Sequence, residues 1–309
     1  MIEGVTFDQL RIFAAAAEEK SFSAAGRRLG RAQSVVSQAI ANLEEQLGVE
    51  LFRRAGRYPE LTPGGELLLA DAKAMLGGMA LMKSRARGMA AGIESELSVA
   101  VDVMFPMSVL TRTAEVFGKR FPLTPLRLYV EALGGVAKNV LQQQSQIGIL
   151  CNLPISISGL MTERLLAVEM VNVAAPSHPL AMKNAPLGEC EVAQHVQLVL
   201  TDRTELTDGQ EFSVHSRRNW RLADLGAKHA FLLAGLGWGG MPLEMVQNDL
   251  DAGRLRELQL QDIPARVQIS MSAAYRQDAP PGPAGRWFIE QLKNFAVESQ
   301  GVQELKEYA

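Results

Sequence analysis

The stretch RRLGRAQSVVSQAIANLEEQLG, residues 27–48, decides how this chain is read. It opens with three arginines around Gly30, and a glycine there tolerates the left-handed backbone of a tight turn. Beyond the turn Val36, Ile40, Leu43 and Leu47 are spaced by four, three and four, which makes one buried stripe of a helix. Gln33, Ser34, Ser37, Gln38 and Ala41 gather on another side. A helix lying in a major groove needs short side chains to approach the bases, with amides and hydroxyls to bond their edges. Glutamine pairs with adenine through two hydrogen bonds. Upstream, FDQLRIFAAAAEE carries Leu10, Phe13, Ala14 and Ala17 at helical spacing, and Ser21 or Ser23 caps a short helix over residues 24–29. Two helices joined by a Gly-containing turn form a helix-turn-helix. Downstream, residues 51–52 and 60–62 read as brief strands around RRAGRYP, an arginine-tipped wing able to reach phosphates or a minor groove.

This order of elements resembles the LysR-type transcriptional regulators. The resemblance is carried by FDQLRIFAAAAEEKSFSAAGRRLGRAQSVVSQAIANLEEQLGVELFRR and the adjoining LTPGGE, about 65 residues with a specific pattern. It implies that Gln33, Ser34 and Ser37 read bases, that Gln38 and Arg31 touch bases or backbone, and that Arg54 and Arg57 meet DNA from the wing. Family members often carry Pro at the place of Ser34 and Arg at that of Gln38, so a shifted base preference and one phosphate contact fewer are implied here.

The bulk numbers agree with a globular protein of about two domains, 309 residues long and 47% hydrophobic. The net charge of −3 is uneven: residues 1–91 hold 12 Lys and Arg against 10 Asp and Glu, leaving 19 against 24 for the rest. Six arginines and no lysine lie between Arg27 and Arg57, and the planar guanidinium suits phosphates and guanine edges. Charge alone would fit a solvated surface equally well. With no signal-peptide pattern and no apolar run of about 18 residues, the expected location is the cytoplasm, with no membrane partner. Cys151 and Cys190 are too few and too far apart for a disulfide framework, and both read as ordinary thiols.

Thr62 and Pro63 are a helix cap and first helical residue, and the helix they start bears a heptad seam. Leu68, Ala72, Met75, Met79, Met82, Ala86 and Met89 recur at alternating steps of four and three. Packing against its own domain is one reading; a homodimer through paired linker helices, centred on Leu68, Met75, Met79 and Met82, is the preferred one. Gly77-Gly78 inside the helix costs on the order of 1 kcal/mol per glycine.

From Leu97 the pattern turns to strands alternating with helices, which predicts an α/β fold with a mostly parallel sheet. The domains expected are a winged helix-turn-helix over 1–62, a linker helix over 63–91 and a two-lobed effector domain over 92–300. Lobe I spans about 92–163 and 268–300, and lobe II about 164–267. The resemblance supports the two lobes, which in that family are like periplasmic binding proteins, and LLAGLGWGGMP with LDAGRLREL carries most of the match here. Ligands of open α/β sheets collect beyond the carboxyl ends of strands. This nominates Asp102, Met104 and Phe105, then Leu133 and Gly134, then Cys151 and Asn152, and in the second lobe Thr201, Asp202 and Arg203. Such a set predicts a cleft with an apolar side, anchored by Asn152, Thr201 and Arg203.

Residues 235–240 satisfy G-x-G-x-x-G, but a dinucleotide fingerprint needs a strand before it and a helix after it. A helix reads before it, so a close-packed loop is expected instead. His178, His195, His215 and His229 are scattered without metal-ligand spacing, and no serine sits in a nucleophile elbow. No catalysis, metal or cofactor is therefore expected. The chain reads as a sequence-specific regulator that binds double-stranded DNA under control of a small-molecule effector. The resemblance adds RNA polymerase as a partner and a homotetramer as the assembly. The competing reading is a solute-binding or enzymatic α/β protein whose N-terminal helices serve assembly only, and a third keeps DNA binding but makes oxidation of Cys151 the trigger.

Overall fold

The computed structural model describes residues 4–55, 58–152, 157–183, 185–207, 209–261 and 263–307. They form two compact units, residues 1–90 and 91–309.

In the first unit, α1 (Phe7–Glu19) starts at Thr6, whose hydroxyl accepts from the Gln9 amide at 3.2 Å while the Gln9 side chain accepts from the Thr6 amide at 2.8 Å. This reciprocal pair satisfies two donors that a helix start leaves free. Helix α2 (Phe22–Leu29) is capped by Ser21 and ends at Gly30, which has φ of 69°. Helix α3 (Gln33–Leu47) comes next, then the hairpin of β1 (Phe52–Ala55) and β2 (Tyr58–Leu61), then α4 (Pro63–Ala90). Ile12, Phe13, Val36, Ile40, Leu43 and Leu51 make the buried core, and the Phe52 ring stands edge-on to Phe13 and Phe22 at 5.7 and 5.2 Å. The first two positions of the heptad seam, Leu68 and Ala72, pack on this core.

The second unit is built on one nine-stranded sheet. Its first lobe alternates β3 (Leu97–Asp102), α5 (Met107–Arg120), β4 (Leu126–Glu131), α6 (Gly134–Leu141) and β5 (Ile147–Cys151), with β3 parallel to both neighbours. The long β6 (Leu160–Ala174) crosses to the second lobe, which holds α7 (Glu189–Val192), β7 (Gln197–Leu200), β8 (Asn219–Leu222), α8 (Leu225–Leu233), β9 (Trp238–Pro242), α9 (Leu243–Asp251) and β10 (Arg256–Glu257). Strand β11 (Arg266–Arg276) crosses back, antiparallel to β6 along its length, and α10 (Pro283–Glu307) closes the chain on the first lobe. The spatial order is β4-β3-β5-β11-β6-β9-β7-β8, two parallel groups joined by the antiparallel pair β6 and β11.

Two expectations are corrected here. The sheet is not mostly parallel, because the two long crossing strands β6 and β11 pair antiparallel with each other and with their neighbours, matching the parallel pairs in number among the described residues. Residues 238–242, read as part of a glycine loop, are the buried strand β9, paired with β6 and β7. The glycines serve close approach: a Cβ at Gly237 or Gly239 would lie 2.5 Å from the carbonyl oxygen of Val196 or Leu198. With a helix before them and a strand through them, they do not form a phosphate cradle.

Candidate nucleic-acid interface and ligand cavity

The turn before α3 is tied down by its backbone, with Gly30 N–H donating to Arg27 O at 3.3 Å and Arg31 N–H to Gly26 O at 2.8 Å. Burial of Val36, Ile40 and Leu43 fixes the rotation of α3, so Gln33, Ser34, Gln38 and Ala41 are exposed and Ser37 is half-buried. The N-cap, Ala32, offers no side-chain bond, which leaves the first amides of α3 suited to an anion. Sequence reasoning missed Val35, which is 46% exposed on the same helix. Its signal was an apolar residue out of step with the buried stripe, and such a side chain suits a thymine methyl.

The arginines divide by partner. Arg31 holds Asp8 through two bonds of 2.6 and 3.1 Å, so its guanidinium ties the turn to α1. Arg28 bridges to Glu18 at 2.8 Å and Glu19 at 3.3 Å, and Arg53 to Glu60 at 3.1 Å. The Glu44 carboxylate accepts from the Leu51 and Phe52 amides at 2.7 and 3.0 Å, fixing the start of the wing to α3. The Arg54 side chain and Arg57 lie outside the described residues.

In the second unit Asp102 ends β3 fully buried. It accepts from Met104 N–H at 2.9 Å, Leu133 N–H at 3.1 Å and the Cys151 thiol at 3.5 Å. Burial outweighs these donors and pushes its pKa up to about 6. Burial, then the adjacent Asp102 charge, pushes the Cys151 thiol up as well, so it stays protonated at neutral pH. That is the opposite of the lowered pKa a peroxide-reactive thiol requires. Leu133 has φ of 47°, a left-handed conformation costly for a branched side chain, at the start of α6.

A cavity of about 150 Å³ opens at the carboxyl ends of β3, β4, β5 and β7. Met104 and Leu133 line it, together with Cys151. Phe105 borders a neighbouring cavity of about 290 Å³ with Pro242 and Met245, and Gly134 and Asn152 border a third of about 220 Å³. Asp102 lies beneath as an organiser of loops. Asp202 accepts from the Thr204 and Thr207 hydroxyls at 2.7 and 2.5 Å and closes on Gly134, where a Cβ would come within 2.6 Å of its carboxylate. Thr201 and Arg203 flank it, the latter exposed.

The polar groups of the 150 Å³ cavity are therefore not the expected anchors Asn152, Thr201 and Arg203. They are Asn172, Gln197, Ser213, His215 and Lys228. The Gln197 side chain donates to Ser213 O at 2.7 Å and accepts from the His215 and Ser216 amides at 2.7 and 3.0 Å, holding the segment that covers the cavity. Burial lowers the His215 pKa, which keeps its ring neutral near pH 7. Lys228 was visible in sequence as the one full charge in LGAKHAFLL, a helix otherwise apolar enough to bury. Among the described residues, no group of three or more His, Cys, Asp and Glu is placed to hold a metal, and no helix is long and apolar enough to cross a membrane.

Two family models match the chain. One, described as bacterial regulatory helix-turn-helix protein, lysR family, matches residues 7–66; the other, LysR substrate binding domain, matches residues 90–296. Among curated relatives, the probable HTH-type transcriptional regulator YhaJ of Escherichia coli (strain K12) is 27% identical over 93% of this chain and 96% of its own length. The uncharacterized HTH-type transcriptional regulator YeeY of the same organism is 30% identical over 81% and 82%. Among solved structures, a cysteine mutant of Corynebacterium glutamicum OxyR superposes with a TM-score of 0.57 at 22% identity, covering 95% of this chain and 93% of that one, a likeness of fold.

Proposed function

Because this chain belongs to the LysR family of bacterial helix-turn-helix regulators, we propose how its residues divide the work of a DNA-binding transcriptional regulator with an effector domain. Residues 1–62 read DNA, 63–91 link and dimerise, and 92–300 bind the effector. Gln33, Ser34, Ser37 and Gln38 meet base edges, Val35 meets a thymine methyl, and Arg54 and Arg57 hold phosphates from the wing. Arg31 orients the turn through Asp8 and contributes charge near the backbone. The observation that carries this is the exposure of Gln33, Ser34 and Gln38 on α3, a helix whose rotation is fixed by the buried Val36, Ile40 and Leu43. The effector occupies the cavity behind Met104 and Leu133, at the strand ends where ligands of such sheets gather.

Occupancy favours one arrangement of the two lobes, and the paired linkers pass it on as altered spacing of the reading heads, changing DNA bend and access for RNA polymerase. The family resemblance favours a tetramer built from such dimers, working in the cytoplasm. Its relatives are regulators, and no catalytic step is assigned to it.

The test is a titration of the full-length protein against a duplex selected from a random pool, at several KCl concentrations. Affinity is expected to fall steeply with salt, by roughly 10³-fold or more between about 50 and 200 mM if six or more phosphates are met. Gln33→Ala should lower discrimination at one base pair by about 1–3 kcal/mol, while Arg57→Ala weakens all duplexes evenly. Weak binding that ignores salt would instead favour a solute-binding protein with N-terminal helices used for assembly.

A further inference from the structure

Among the described residues, Lys228 is a buried cation without a counter-ion. It sits on α8 at 4% exposure, and its ammonium donates to Gly240 O at 2.6 Å. An ammonium carries three donors, and among the described residues no other hydrogen bond or ion pair engages this one. Among the described residues, no Asp or Glu lines the cavity that Lys228 borders, and the other titratable side chains there are the neutral His215 and the protonated Cys151. A buried charge in this position is costly, which burial expresses by lowering the lysine pKa to about 8, so that most of it is still charged at pH 7.

We infer that the 150 Å³ cavity is built for a small monocarboxylate with an apolar body, its carboxylate paired with Lys228. The inference rests on reading this cavity as the effector site and names the class of effector. Met104, Leu133, Met170, Leu225 and Ile269 give apolar walls around the single cation, and Asn172 adds an amide beside Gly240. An apolar space of about this size accommodates a benzene-sized body. One cation neutralises one negative charge, so a dianion would bury an unpaired charge. An inorganic anion would leave the apolar walls unfilled.

The experiment is calorimetric titration of the full-length protein with benzoate, phenylacetate and isovalerate, each beside its uncharged amide. At least one acid is expected to bind roughly tenfold or more tightly than its amide, a preference that Lys228→Met abolishes. The same variant, freed of a buried charge, should melt about 2–4 °C higher than the native protein without ligand. Equal binding of acids and amides, no acid binding up to about 10 mM, or nitrate binding as tightly as the acids would each overturn the inference. Should Lys228→Met fail to fold, the acid-to-amide ratio in the native protein decides alone. Duplex affinity measured in the same samples separates the two readings. An acid that binds without changing duplex affinity supports the carboxylate and sinks the effector role, whereas an amide that changes it does the reverse.

Discussion

At Asp102 hydrogen bonding and burial oppose one another, and burial wins. Two backbone amides and a thiol favour the carboxylate, yet full burial raises its pKa from 3.8 to about 6. The native state therefore keeps a proton that the unfolded chain releases between those values. The stability this group contributes is complete below about pH 4 and is lost as pH rises through 6, a span worth about 3 kcal/mol. Asp102→Asn cannot titrate, so between about pH 4 and 7 the stability difference in urea should move in the variant's favour by about 3 kcal/mol. A difference that stays constant with pH would show that burial does not govern the group. Sequence placed Asp102 beyond a strand end but could not show it turned inward, because its fate depends on amides 2 and 31 residues away. Lys228 carried one signal, its lone charge in an otherwise apolar helix, but no spacing rule tells a buried lysine from one that reaches water.

Helix α4 is the element whose pattern has two users. Its seven-position seam begins on its own domain, at Leu68 and Ala72, and continues past it with Met75 and Met82 at 56% and 59% exposure. Spacing alone does not assign a partner to each turn, so the first positions looked equivalent to the rest. Methionines left this exposed at a heptad seam are the surface by which a second copy is proposed to dock. Met75→Glu with Met82→Glu should convert the assembly to a monomer in sedimentation velocity while leaving the melting of the residue 1–90 core unchanged. An unchanged mass would move the dimer contact elsewhere. Helix bounds were readable where the signal is local: α1 was expected over residues 7–19 and α2 up to its stop at Gly30, although α2 begins at Phe22, two residues ahead of the expected 24. Strand β9 was not, because in GWGG the glycines supply room for a neighbour's carbonyl and leave no alternation to detect.

Across the whole molecule, charge and architecture separate in the same place. Residues 1–91 carry the surplus of arginine and lysine and the remainder the surplus of acid, which concentrates affinity for a polyanion at one end of the chain. The two units have cores with no residue in common, Phe13 and Ile40 in one, Phe117 and Phe288 in the other. Differential scanning calorimetry should resolve two transitions, and a carboxylate that binds at Lys228 should raise only the one belonging to residues 91–309. A single transition shifted as a whole would show the units to be energetically fused. The two-lobed plan could be anticipated from alternating strands and helices, whereas the pairing of β6 with β11 could not. Those strands are about a hundred residues apart and meet only in the folded sheet.

That pairing constrains how genes for such proteins can recombine. The polypeptide passes from lobe I to lobe II along β6 and returns along β11, so lobe II interrupts lobe I in the coding sequence and a single exchange between the codons of those two strands would divide both. An exchange near codon 91 divides nothing, and grafts an intact operator reader onto a different sensor.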